Sequence, residues 1–226
     1  MPFVLSVLGQ AWLPLLISAV VSYLLGSLDF AIIVTKAFTN EDIREKGSGN
    51  AGATNVLRSH GKKLAALTSL GDVGKSVASV LLAWLVWFPL CGVAHLGYYG
   101  GFVAGAACVL GHMFPLYFGF RGGKGVLTVL GLMLVLDWPV ALIGLAVFIV
   151  TVLFSKMVSL GSIFAGVSLC VSVFVHFKYI AHHSVAATLY VTAMVIFVVG
   201  LAIMKHSSNI KRILNGTENK IGSKKN

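Results

Sequence analysis

Acidic side chains are scarce in this 226-residue chain. Seven Asp and Glu stand against seventeen Lys and Arg, giving a formal net charge of +10. Charged residues of both signs amount to 11%, where an average soluble domain carries about 25%. Hydrophobic residues make up 58%, and the mean hydropathy is +0.93. A water-soluble fold cannot hide that much apolar surface, because its own exterior must be polar. A bilayer solvates the apolar faces instead. So few carboxylates leave no acidic cluster to hold a metal, and neither metal nor cofactor is expected. Cysteine is sparse too: Cys91, Cys108 and Cys170 lie far apart, in or beside apolar runs. That spacing gives no disulfide framework and no zinc knuckle, so they read as small buried hydrophobes. No internal repeat, H-x-x-x-x-D pair or G-x-S-x-G elbow is present. No Lys or Arg precedes the first apolar run, so that run is expected to be retained and not cleaved as a signal peptide.

What the chain has is long apolar runs. Seven are candidate spans: about Trp12–Phe38, Leu64–Phe88, Val93–Gly111, Gly125–Leu136, Pro139–Phe154, Val158–Phe177 and Val185–Met204. Backbone groups in lipid must be satisfied internally, so these are expected to be helices. The fold class expected is all-α and polytopic, a single membrane domain over residues 1–226. A polar tail from about Lys205 is expected to be part helix, part disordered. The fourth run is short, ending at Asp137-Trp138-Pro139. Close helix packing is expected at glycines such as Gly101, Gly105 and Gly161.

Fifteen of the seventeen cationic residues fall on alternate loops or the tail; the others are Lys178 and Lys75. The cationic side includes Lys36, Arg44, Lys46, Arg58, Arg121, Lys124, Lys156, Lys205, Lys211 and Arg212, with Lys224 and Lys225 at the end. By the positive-inside rule the N-terminus faces out and the C-terminus faces the cytoplasm. Flanking charge of this kind controls topology and attracts anions; it does not form a nucleic-acid-binding face.

Unusual polar clusters sit on the cationic side. Gly47 to Arg58 reads GSGNAGATNVLR. Its glycines permit positive φ and expose backbone N–H groups, which suits an anion cradle. Thr54 or Asn55 is expected to cap a short helix, with Arg58 placed for bidentate phosphate contact. A solvated turn is the bland alternative. Gly111-His112-Met113-Phe114-Pro115 is followed by Arg121-Gly122-Gly123-Lys124-Gly125. There, glycines let backbone approach a phosphate and a helix N-terminus follows. Ser159 heads the sixth run, as an N-cap or a site residue. His206 and Asn209 are three apart, so they share a face if helical. Within the second run, Asp72 and Lys75 are also three apart, and self-neutralising structural support is the expected role. His95, His176, His182 and His183 fall on the outer side, as interfacial residues. Asp29, inside the first run, has no sequence-level account.

Together these segments resemble the bacterial acyl-phosphate:glycerol-3-phosphate acyltransferases over nearly the whole chain. The carriers are Tyr23 to Ser27, Ser48 to Val56, Gly111 to Pro115, Gly122 to Gly125, Val158 to Leu160, and His206 with Asn209. The resemblance implies a seven-helix fold in the bacterial cytoplasmic (inner) membrane, with its active site facing the cytoplasm. It implies acyl transfer to the 1-hydroxyl of glycerol 3-phosphate, giving lysophosphatidic acid for phospholipid synthesis. It makes Ser48, Arg58, Lys124, His206 and Asn209 the expected catalytic group. Gly49, Asn50, Gly52, Thr54, Asn55, His112, Arg121, Gly122, Gly123, Gly125 and Ser159 are the expected substrate-binding residues. Expected partners are glycerol 3-phosphate, fatty-acyl phosphate, the bilayer and the enzyme that makes the acyl phosphate. A transporter for a phosphate-bearing solute is the rival class, although its polar groups would be expected at mid-membrane between repeats.

Overall fold

The computed structural model describes residues 2–222, with side chains from Gly9 onward; Lys224 and Lys225 of the tail lie outside the described residues. Every regular element among the described residues is helical. The chain forms two compact units, Met1–Leu136 and Asp137–Asn226.

The first unit holds α1 (Pro2–Gly26), α2 (Phe30–Thr39), α3 (Ala53–His60), α4 (Lys62–Leu82), α5 (Gly97–Met113) and α6 (Val126–Leu136). The second holds α7 (Trp138–Ser155), α8 (Val158–Val175), α9 (Val185–Lys205) and α10 (Ser207–Leu214). Six stretches are long and apolar enough to cross a bilayer: Gly9–Thr39, Lys62–Leu90, Ala94–Phe118, Trp138–Ser155, Val158–Ile180 and Val185–Lys205. The fourth expected span is α6, which has 11 residues. At 1.5 Å per residue that is about 16 Å, roughly half a hydrocarbon core. Large apolar side chains such as Leu85, Phe154 and Val171 are exposed, as lipid contact requires.

The first run is two helices where one was expected. α1 is already kinked at Ala11, three residues before Pro14, whose ring and missing N–H disrupt the preceding turn. The chain then breaks after Gly26, and Asp29 restarts it. Asp29 Oδ1 accepts from Ala31 N at 3.1 Å and Ile32 N at 3.3 Å, so this buried carboxylate is the N-cap of α2. Its second oxygen, Oδ2, is buried without a hydrogen-bond partner. α1 and α5 cross closely through reciprocal glycines. A Cβ on Gly26 would strike the Cys108 carbonyl, and one on Gly111 would strike the Tyr23 carbonyl. Gly105 likewise receives Leu132, and Gly101 receives Leu136.

In the second unit Asp137 caps α7 through Val140 N and also meets His176 Nδ1 at 2.7 Å. His176 begins a π-helical turn, His176–Ile180, and His183 stacks on Phe177. Gly161 takes Phe148 and Val152 against its backbone. The described part of the tail carries α10. After α10 it folds back so that Glu218 is buried, and Ile221 N donates to the Lys156 carbonyl at 2.8 Å.

Candidate active site

The first polar cluster is a built loop, not a loose turn. Asn55 is its hub: buried on α3, its Nδ2 donates to the carbonyls of Ile43, Lys46 and Asn50 at 3.0–3.1 Å. Its Oδ1 accepts from Ser48 N at 3.0 Å. One amide therefore gathers the chain on both sides of Ser48. Gly47 and Gly49 have φ of +57° and +71°, a region that L side chains enter only with strain. A Cβ on Gly47 would also strike Asn55 Oδ1. The N-cap of α3 is Gly52, with no side-chain cap. Thr54 and Asn55 thus lie inside the helix, and the expected capping role is corrected; Asn55 is committed to the loop carbonyls instead. Ser48 and Arg58 are exposed, Asn50 and Thr54 half-buried. Ala51, Val56, Ile43 and Ala31 form the apolar floor below.

The second loop is fastened to the first. Arg44 chelates Asp42, with Nε–Oδ1 at 3.0 Å and Nη2–Oδ2 at 2.8 Å. Its Nη1 donates to the carbonyls of Phe118, at 2.7 Å, and Arg121, at 3.4 Å. Hydrogen bonds from Arg44 hold the Asp42 carboxyl well below the usual carboxylate range, against the opposing effect of burial. Gly123 N donates to the His112 carbonyl at 3.1 Å. The glycines here are required by closeness. A Cβ on Gly122 would strike the His112 carbonyl, and one on Gly123 would strike both His112 Nε2 and the Ala51 carbonyl. Gly125, at φ +80°, turns the chain into α6. Lys124 is half-buried on this loop and Arg121 is exposed. From the other side, Tyr23 Oη donates to the Phe114 carbonyl at 2.8 Å and Leu116 N donates to Ser27 Oγ at 3.2 Å. The Tyr23–Ser27 and Gly111–Pro115 motifs are thereby one packed unit.

Beneath the loop lies a buried polar cluster. Lys75 Nζ donates to the Leu28 carbonyl at 2.8 Å and lies 3.0 Å from His112 Nδ1. It is 2.9 Å from Asp72 Oδ1, an ion-pair distance but poorly aligned for a hydrogen bond.

In the second unit Glu218 organises the remaining expected residues. Its Oε1 accepts from Ser159 Oγ at 2.9 Å and from Asn209 Nδ2 at 2.8 Å, and its Oε2 from Arg212 Nε at 2.8 Å. Burial pushes this carboxyl up, but the three hydrogen bonds outweigh it and hold its pKa below the usual value. Ser159 is not an N-cap; Met157 holds that position, without a side-chain cap. His206 and Asn209 do share one face, both buried. His206 Nδ1 lies 2.7 Å from the Ala202 carbonyl. A carbonyl only accepts, so Nδ1 carries the proton and Nε2 keeps a lone pair when the ring is neutral.

The glycerol-3-phosphate acyltransferase family model matches residues 16–216. The chain belongs to the glycerol-3-phosphate acyltransferase family. A glycerol-3-phosphate acyltransferase of Clostridioides difficile is 46% identical over 210 residues, covering 93% of this chain and 97% of the relative. One from Brucella canis is 40% identical over 211 residues, with 93% and 95% covered. The crystal structure of PlsY, an integral membrane glycerol 3-phosphate acyltransferase, in its glycerol 3-phosphate form superposes with a TM-score of 0.79. Identity there is 37%, over 92% of this chain and 96% of that one. Its lysophosphatidic acid form gives 0.77 at 36% identity, with 92% and 95% covered. This chain is thus an integral membrane acyltransferase of phospholipid biosynthesis.

Three residues that organise this acyltransferase's loops escaped the sequence reading as site residues. Arg44 was counted only as a topology charge, and Glu218 sat in an undifferentiated tail. Lys75 was paired with Asp72 alone. The signal for Glu218 was its isolation, as the sole acid after Asp137. Besides their local acids, Arg44 reaches Phe118 and Arg121, and Lys75 reaches Leu28 and His112, all tens of residues distant and marked by no local pattern.

Proposed function

We propose that this chain transfers a fatty-acyl group from acyl phosphate to the 1-hydroxyl of glycerol 3-phosphate. The products are 1-acyl-glycerol 3-phosphate and inorganic phosphate. The observation that carries the reading is the fastening of two glycine loops through Arg44 and the Gly123–Ala51 contact, with Asn55 holding the first loop together. It gives Ser48 and Lys124 a common rigid frame, as a ligand with several phosphate oxygens requires. Arg58, Arg121 and Lys124 supply the countercharge, and Gly49, Asn50, Gly52 and Thr54 line the first loop.

An acyl phosphate is a mixed anhydride with an activated carbonyl. The glycerol hydroxyl oxygen bonds to the acyl carbon, and the bond from that carbon to the phosphate oxygen breaks. The hydroxyl proton goes either to His206 Nε2 or to the departing phosphate. Little general acid is needed, so the protein's work is orientation and charge stabilisation. Ser48 orients by hydrogen bonding and forms no acyl-enzyme, because no His–Asp relay stands near it in sequence. In the second unit Ser159 and Asn209 are ordered by Glu218, and His206 is the proposed proton acceptor. The positive-inside distribution supports an N-terminus outside, a C-terminus in the cytoplasm and a cytoplasmic site on the inner membrane. An odd number of crossings then requires α6 to cross by tilt or local thinning. The enzyme that supplies acyl phosphate is a natural neighbour on that face.

The test is purified protein in detergent with palmitoyl phosphate and glycerol 3-phosphate, acyl-CoA as second donor and Lys124→Ala as control. Phosphate and lysophosphatidic acid released one to one from acyl phosphate, and lost in the variant, are expected. Product from acyl-CoA alone would replace the donor, and trapped acyl-Ser48 would overturn the role given to Ser48.

A further inference from the structure

The cluster under the second loop does more than neutralise itself. Lys75 and Asp72 have side chains 2% exposed. The Lys75 ammonium carries three N–H groups and no lone pair. Its neighbours are the Leu28 carbonyl, Asp72 Oδ1 and His112 Nδ1, at 2.8, 2.9 and 3.0 Å. An ammonium cannot accept a hydrogen bond. His112 Nδ1 lies 3.0 Å from that ammonium and 3.4 Å from Asp72 Oδ1; the nearer contact makes Nδ1 the acceptor and puts the ring proton on Nε2. Nε2 lies where the two glycine loops meet, against Gly123 and close to the Ala51 carbonyl.

We propose that Lys75 is a positioning residue that fixes His112 as the Nε2–H tautomer, making it a neutral hydrogen-bond donor to a phosphate oxygen of bound substrate. The inference rests on the phosphate-binding reading of Gly122 to Gly125 given above. Asp72 completes the set as the countercharge beside Lys75. Three links run from the helix interior to the loop: carboxylate to ammonium, ammonium to Nδ1, and Nε2–H to the ligand.

The test begins without substrate, so that it stands apart from the choice of acyl donor. Protein labelled with ¹⁵N-histidine is examined in detergent, with His112 assigned by the loss of its signals in His112→Gln. The expected spectrum is that of the Nε2–H tautomer. In the double variant Asp72→Asn/Lys75→Met, which leaves no lone buried charge, that preference is expected to disappear. Its kcat/KM is expected to fall roughly ten- to hundredfold. His112→Gln, whose amide N–H reaches the position of Nε2, is expected to retain about tenfold more activity than His112→Asn, whose amide mimics Nδ1. A doubly protonated or Nδ1–H His112 in the wild-type protein would overturn the proposal. So would equal activity of the two single variants. Should Asp72→Asn/Lys75→Met fail to fold, the Gln/Asn pair and the wild-type spectrum decide alone. Absence of acyl transfer in a wild-type protein with the expected tautomer would instead count against the donor reading.

Discussion

Two histidines in this chain are held by the same ring nitrogen and face opposite ways chemically. In the first unit the nearer neighbour of His112 Nδ1, at 3.0 Å against 3.4 Å for Asp72 Oδ1, is an ammonium, which only donates. In the second unit His206 Nδ1 meets the Ala202 carbonyl, which only accepts. The first ring is left with an Nε2–H to give, the second with an Nε2 lone pair to receive a proton. Both rings are buried; Asp72 Oδ1 lies 3.4 Å from His112 Nδ1, whereas Glu218 binds Asn209, three residues after His206. A histidine's role is thus set by the partner of its hidden nitrogen, not by its being a histidine in a polar motif.

The sharpest way to break that contrast is to remove Nε2 alone. His206→Asn keeps an N–H for the Ala202 carbonyl and deletes the proposed acceptor. If His206 is the base, kcat is expected to fall on the order of 10²- to 10⁴-fold. If the donor phosphate takes the proton, the loss in steady-state kcat should stay below about tenfold. Next in size is Asn55→Ala. It removes the hub of the Ser48 loop, with four hydrogen bonds, one buried and three part-buried. About 2–4 kcal/mol of stability should disappear, read as a lower melting temperature in detergent, with activity down at least about tenfold. Gly123→Ala tests the loop junction beside His112. Its Cβ meets backbone on one side, so the loops must part, and kcat/KM is expected to drop by about tenfold. Gly74→Ala, with nothing near the new Cβ, should stay within about 0.5 kcal/mol of wild type.

The smallest effect concerns Glu218 and its pH dependence. Its folded pKa is depressed below the ordinary value of 4.5. The stability it contributes is therefore fully present above 4.5 and lost as pH falls through the folded value. Melting temperatures from pH 7 down to 3 should decline more steeply for wild type than for Glu218→Gln. Parallel curves would remove Glu218 as the organiser of the Ser159–Asn209 cluster.

Much of the fold could be read from local pattern. Apolar runs of about 20 residues have few alternatives to helices in lipid, and all six long stretches are helical. Single residues that redirect the chain were harder. Asp29 looked anomalous inside an apolar run because capping shows only once the helix is known to break at Ser27-Leu28. Val126–Leu136 stayed short because Gly125 and Asp137 bound it, a limit already visible in the sequence.

By itself the sequence determined a basic, helical membrane chain and the segments where its polar chemistry collects. Composition and periodicity are local properties, and the bilayer leaves one backbone solution for each run. Only the tertiary structure decided what those polar residues do. It turned Asn55 from a cap into a hub, joined Arg44 to a loop 74 residues on, and brought Lys75 to His112. Hydrogen bonds between distant segments depend on how helices pack, and the direction of a donor or lone pair is fixed only when its partner is in place.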